Sequence, residues 1–432
     1  MKGGPRLKRQ LRRIAATGYR RLIRIRCSAF YKRVFGRPES CLLVVIFALI
    51  AGAACAQERG TLSANLGYQL QNDSNLFRLP AGEYPVIDGV TRDRNDTSQT
   101  GEVGVQLAHT WGRQHVTLDV ATAHTHYSEF DYLDYTATDY DAAWDWGIGK
   151  RWLGILSASQ TQAERSFADF FSTVRSINTY RSYSASANFR VFPRWTAGAG
   201  FTKVSSGYSD IISSIVDYDE KAWDARITFR PASGNELSLV ARQADGSYPN
   251  RNDVQLVDKE YQQRDVRLEG RYALTARSTI TGYLGLARRT YPRTSFRNYS
   301  GPIGRLAYDW AFTQKLQLHL QLRRELGARE DLTDTYVVTT AEALRLDWQL
   351  TTRVSASIWG EEQSRDYKGD PGFGFALDGQ KDDQLVYGAG LTYTPIRKVD
   401  VSLAYQRDAR TRNTGFGKFD NSTVRLQAHL HY

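Results

Sequence analysis

Few residues in this chain have the type and spacing to do chemistry. His124 and His126 share a face if the local chain is extended, as do His429 and His431, because successive side chains of a strand alternate sides. Such a pair supplies only two of the ligands a metal centre needs, so these positions fit interfacial or lumen histidines better than a metal site. Asp141 and Asp145 form a carboxylate pair, but lumen ion pairing accounts for them more simply than a glycosidase dyad. The chain contains no Gly-x-Ser-x-Gly, no His-Glu-x-x-His, no phosphate-binding loop and no dinucleotide fingerprint. The expectation is therefore no catalytic residue, no metal and no cofactor.

Most charged candidates alternate with apolar neighbours. They are Asp224, Arg226 and Arg230; Asp265, Arg267, Glu269 and Arg271; Arg305, with Asp309 further along; Arg345 and Asp347; and Arg425. If the apolar rows face lipid, these residues line a lumen. So many charges are not buried dry; they pair with one another, face water, or both. Their mixed signs predict no strong preference for an anionic or a cationic cargo.

The elements that would position them are strands. Val424, Leu426, Ala428, Leu430 and Tyr432 fall on one face of the last ten residues, with Arg425, Gln427, His429 and His431 on the other. The same alternation runs through Leu62–Leu70, Val103–Trp111, Tyr140–Ile148, Leu316–Leu322 and Val399–Tyr405. Each run is about ten residues, the length of a tilted membrane strand. Short breaks fall near Gly112, Gly149, Pro193, Pro231–Asn235, Thr275–Arg277, Phe312–Lys315, Leu350–Thr352 and Pro395–Lys398, spaced by roughly 40 residues. Long polar breaks alternate with them. About eighteen strands result, and an even number puts both termini on one side, the periplasm. Six of the nine tryptophans, Trp111, Trp146, Trp152, Trp195, Trp310 and Trp348, lie beside the short breaks, as an aromatic girdle at a membrane boundary requires. The fold expected is all-β, one closed antiparallel transmembrane barrel.

The whole chain carries a net charge of +11. Thirteen of its 57 basic residues and one of its 46 acids precede Gln57, leaving −1 on the remainder. The basic excess therefore gives no reason to expect nucleic acid. It precedes Cys41–Ala54, an apolar run too short to span a bilayer, and then Ala54-Cys55-Ala56. This order is that of a secretory signal cleaved after Ala56, so residues 1–56 form a basic segment plus signal peptide and residues 57–432 the barrel. A lipoprotein site at Cys55 is the alternative, weakened by Gly52. All three cysteines lie before the cleavage point, which leaves a mature chain without disulfides.

The first long break, Asp73–Asp88, is unusually apolar. Leu76, Phe77, Arg78, Leu79 and Pro80 are candidates for a gate that tucks into the mouth; packing on the rim is the alternative. Phe167–Phe171 and Asp370–Phe375 place rings in other long breaks, to stack on sugars or simply to anchor a loop.

Asn75-Leu-Phe-Arg-Leu-Pro80, Ala142-Ala-Trp-Asp-Trp146 leading to Arg151-Trp152, and Ser166-Phe-Ala-Asp-Phe170 together resemble the EpsL-type outer-membrane proteins that accompany exosortase-linked exopolysaccharide biosynthesis clusters. The resemblance spans essentially the whole mature chain in length and layout. It implies export of a nascent polysaccharide across the outer membrane, beside a periplasmic export protein and inner-membrane synthesis machinery, in contact with lipopolysaccharide. It supplies no catalytic residues, and the long basic arm departs from it. A general solute porin, or a surface adhesin or enzyme on a closed barrel, are the competing readings.

Overall fold

The computed structural model of the protein describes residues 60–168, 172–231, 234–251, 258–293, 295, 298–328, 336–368, 380–413 and 417–432. The proposed signal segment at 1–56, Phe170, Phe171 and Asp370–Phe375 lie outside them. Strands follow one another along the chain: β1 Gly60–Asp73, β2 Asp96–Trp111, β3 Gln114–Tyr127, β4 Tyr135–Ile148, β5 Trp152–Glu164, β6 Ile177–Phe192, β7 Trp195–Tyr208, β8 Tyr218–Phe229, β9 Glu236–Ser247. The series continues with β10 Glu260–Thr275, β11 Ser278–Thr290, β12 Tyr299–Ala311, β13 Leu316–Ala328, β14 Tyr336–Gln349, β15 Val354–Lys368, β16 Lys381–Ile396, β17 Val399–Arg412 and β18 Phe419–His431.

All eighteen belong to one sheet in which each strand pairs antiparallel with its sequence neighbours. The ring closes where β1 meets β2 along its full length and β18 from Asn65↔His431 to Asp73↔Thr423. The last residue takes part: Tyr432 and Ala64 exchange backbone hydrogen bonds at 2.8 and 3.0 Å. Closure leaves no strand edge, which is what allows a sheet to sit in lipid.

The short breaks all lie at one end of the ring, where β1 and β18 also have their free ends. Gly112 and Gly149 take φ of 59° and 56° in two of these turns, a left-handed conformation that costs glycine nothing. The strands run 12 to 16 residues, longer than a bilayer crossing needs, so they continue past the apolar band at the long-loop end.

Register separates the two faces. Leu66, Val103, Trp223, Leu268, Leu286, Leu344, Leu403 and Leu426 are exposed on the outer wall. The six tryptophans beside the short turns face outward; Trp152 packs at a tilt on Phe189 and Trp195 on Phe229, and Trp310 meets Phe312 edge-on, at 4.8–4.9 Å between ring centroids. Buried apolar side chains gather instead in two clusters at the long-loop end. One is Leu76, Phe77, Tyr127, Phe130, Leu133 and Phe167; the other is Tyr248, Tyr261, Tyr291 and Val338.

Candidate functional site: the lumen and its mouth

The inner rows carry the sequence-derived charges. Asp224 and Arg226 sit on β8 opposite outward Trp223 and Ile227, and pair at 3.2 Å. Arg230 follows in the turn and meets Glu236 at 2.8 Å, at the short-turn end. On β10, Asp265 is wholly shielded, with Arg267 at 2.6 Å and Arg242 of β9 at 3.6 Å; Arg242 also pairs with Glu220 of β8. Glu269 and Arg271 share that inner row with Asp265, between outward Leu268 and Tyr272. Arg305 of β12 meets Glu325 of β13 at 2.8 Å, and Arg345 and Asp347 of β14 meet at 2.9 Å. His319 links Asp309 at 2.7 Å to Asp347 at 3.7 Å. Arg323 of β13 reaches Glu361 of β15 over the small side chains of Ala341 and Ala343. Arg425 donates instead to a neutral partner, Gln71, at 3.0 Å. The wall from β8 to β15 thus largely neutralises itself. Apart from the shielded Asp265 group, these half-exposed pairs stabilise little, about 0–1 kcal/mol each, but they hold long side chains against the wall.

The opposite wall corrects an expectation. Asp141 and Asp145 face the lumen, yet neither has an ion-pair partner among the described residues. Their inward neighbours across β3 and β5 are Asp119, His115, Ser159 and Ile155, none of them a permanent cation. Asp119 and Asp141 stand directly opposite each other. With Glu102 and Asp139 they form an acidic strip on β2, β3 and β4, and the inner rows of β1 to β5 contain no Lys or Arg. The lumen does not mix its signs evenly. It segregates them, because a side chain reaches only one or two strand spacings, about 5–10 Å.

Between these walls, β5 to β7 present hydroxyls and amides. Ser157 and Ser184 share a hydrogen bond at 2.7 Å, flanked by Ser159, Ser182, Ser186, Asn188 and Thr202.

At the mouth, the candidate gate residues have fixed places. Leu76 and Phe77 are buried, and Phe77 packs edge-on against Phe130 and Phe167, both at 4.8 Å. Arg78 adopts a left-handed φ of 56° and chelates Asp73 at 2.9 and 3.0 Å. Leu79 and Pro80 are half-buried beside them; the Leu79 N–H donates to Asn75 Oδ1, and Asn75 donates back to the Leu79 carbonyl, both at 2.9 Å. Burial, then the charge of Glu164, push the Tyr132 hydroxyl up to about 12, so it stays a donor, here to the Thr173 carbonyl at 2.8 Å. Arg410 is an inward residue of β17, and it donates to the Ala168 carbonyl in the β5–β6 loop. A loop that meets an inward side chain of β17 lies within the ring, not outside its rim.

Two features escaped sequence reasoning. The tyrosine cluster on β9 to β11 caps the other side: Arg289 stacks on Tyr261 at 4.2 Å, Arg251 on Tyr248 at 3.6 Å, and Tyr261 donates to Glu220 at 2.6 Å. Its signal was present, since Tyr261 lies in the inner row of β10 with Asp265. The second is Trp359, which shares the inner row of β15 with Glu361. Among the described residues no group of three His, Cys, Asp or Glu converges as a metal site.

Residues 244–432, essentially the half of the barrel from β10 onward, match the family described as Putative beta-barrel porin 2. No curated protein matches the chain. Among solved structures, OpdK of Pseudomonas aeruginosa is 12% identical with a TM-score of 0.46, covering 86% of this chain and 99% of that one. OccK2 (OpdF) of the same organism, in complex with glucuronate, is 10% identical with a TM-score of 0.47, covering 86% and 98%. OccAB3 of Acinetobacter baumannii is 9% identical with a TM-score of 0.46, covering 87% and 99%. Likenesses of this size say nothing about a substrate. A closed barrel with an apolar outer wall, a girdle of tryptophans and a charged interior is an outer-membrane channel of porin-like type.

Proposed function

We propose that this barrel is the outer-membrane conduit through which an exopolysaccharide leaves the cell during its synthesis. The observation that carries the reading is the hydroxyl and amide sector of β5 to β7. Hydroxyls both donate and accept and rotate to suit, so they exchange hydrogen bonds with a passing glycan without a deep site at which it would stall. The resemblance of Asn75–Pro80, Ala142–Trp146 and Ser166–Phe170 to EpsL-type proteins supports the same cargo. A periplasmic export protein and an inner-membrane synthesis system would feed the short-turn end. Removing the gene should abolish secreted polymer while the synthesis enzymes stay active in extracts. Secretion at the parental level would overturn the reading in favour of a general porin or a surface adhesin.

The outer wall supports lipopolysaccharide as the surrounding lipid. Lys203 stands directly opposite Lys221, and Arg264 opposite Arg288, all exposed on the lipid side near the long-loop ends of their strands. Like charges so placed repel, and none of the four has an ion-pair partner among the described residues. Phosphates of lipid A would bridge each pair. Replacing all four by glutamine should lower the lipopolysaccharide that copurifies with the barrel; an unchanged lipid-to-protein ratio would refute the bridge.

A further inference from the structure

Eight of the nine tryptophans face outward; Trp359 alone points into the lumen, between the inward positions of Arg345 on β14 and Gly388 on β16. The wall beneath it is built to receive a ring. A Cβ placed on Gly388 would come within 2.5 Å of the indole Cζ2 and of the Tyr405 carbonyl oxygen, and one on Gly390 would lie 3.5 Å from Cζ3. The six-membered ring therefore lies along the wall over two glycines, with its other face toward the lumen. It borders a recess of about 320 Å³ whose lining includes Arg345, Ser357, Gln406, Arg425 and Gln427. That volume is within the range of small-ligand sites, about 300–1,000 Å³.

Plain wall packing accounts for a tryptophan covering glycines. What distinguishes this site is that the ring is bordered by lumen-facing hydrogen-bonding groups not used within the wall. Among the described residues the Trp359 indole N–H has no protein acceptor, and the Ser357 hydroxyl and Gln406 amide have no protein partner. Arg425 spends one N–H on neutral Gln71 and so keeps its full charge facing the recess. A buried indole finds a partner for its N–H, but Trp359 is only half-buried, so its N–H is open to a ligand entering the recess. An apolar plate ringed by free donors and acceptors complements a pyranose, which has an apolar C–H face and a polar equatorial rim.

We propose that Trp359 is a stacking platform for one pyranose ring of a glycan in transit, with Gln406 and Ser357 contacting its hydroxyls and Arg425 its carboxylate where the sugar is a uronic acid. This deepens the export reading and rests on it for the claim that the glycan is cargo. Binding itself is tested on the purified barrel in detergent, by calorimetric titration with maltohexaose and with hexagalacturonate. Trp359→Ala should weaken both by about tenfold, the loss of one ring-on-ring contact. Trp359→Phe should keep part of the affinity. Arg425→Gln should weaken hexagalacturonate and leave maltohexaose unchanged. Heat-modifiable migration of each variant confirms that the barrel is folded. Absence of saccharide binding by the wild type, or equal affinity in Trp359→Ala, overturns the platform. Because secretion is scored separately in cells, a platform without export, or export without a platform, is read directly.

Discussion

In a planar bilayer bathed by unequal KCl solutions, the purified barrel should pass cations in preference to anions, and replacing Asp119, Asp141 and Asp145 by asparagine should remove most of that preference. The sign follows from which lumen charges are paired. Arg226, Arg242, Arg267, Arg305, Arg323 and Arg345 each have a carboxylate within ion-pairing distance, so that wall presents dipoles to a passing ion. Among the described residues Glu102, Asp119, Asp139, Asp141 and Asp145 have no Lys or Arg within ion-pairing distance; the guanidinium of Arg113, in the β2–β3 turn, lies over Gly147 below Asp145. A strip of one sign against a low-dielectric wall focuses potential and raises the local counter-ion concentration by about tenfold or more. Salt provides the control. The screening length is about 10 Å at 0.1 M and about 3 Å at 1 M, so the preference should be large in dilute salt and small in concentrated salt. Neutralising both Asp224 and Arg226 should leave it intact, because that pair is neutral as a unit. Anion preference, or selectivity untouched by the triple substitution, would show that the strip does not govern the field along the path.

The same strip shows which parts of the molecule are legible in the sequence. Alternation of apolar and polar residues is a local property, readable within one strand. The eight short turns, the eighteen strands and the inward direction of Asp224, Asp265 and Arg345 all follow from it. Charge pairing is not local to one strand. Arg323 finds Glu361 only because Ala341 and Ala343 leave the intervening strand low, and Asp141 lacks a cation only because β3 and β5 happen to offer none. Composition averages over the ring, so it predicted even mixing where the ring has sectors. Trp359 was hidden by the girdle rule, which assigns tryptophan to the membrane boundary. Its position beside outward Ile358 already required the opposite side. The loop contacts are the least legible, since Arg410 and Ala168 are 242 residues apart and meet only because closure brings β17 within reach of the β5–β6 loop.

Those loop contacts carry the second large effect. Phe77→Ala should widen the mouth, raising single-channel conductance and its open-state noise, without unfolding the barrel. Phe77 is 4% exposed between Phe130 and Phe167, and truncating a buried phenylalanine costs about 3–5 kcal/mol. That loss falls on a cluster held by loops, while the ring is held by its continuous strand pairing, so the loops should open first. Arg410→Ala attacks the same assembly from the other side. It removes the donor to the Ala168 and Gly417 carbonyls and leaves Asp382 with Arg412 as its remaining guanidinium. If both contacts hold one gate, the double variant should behave like either single one, because a cluster already released cannot be released again. Additive increases would mean two independent obstructions. Conductance unchanged in Phe77→Ala, and unchanged again when Leu76–Ile87 is deleted, would mean that this loop lines the mouth without narrowing the path.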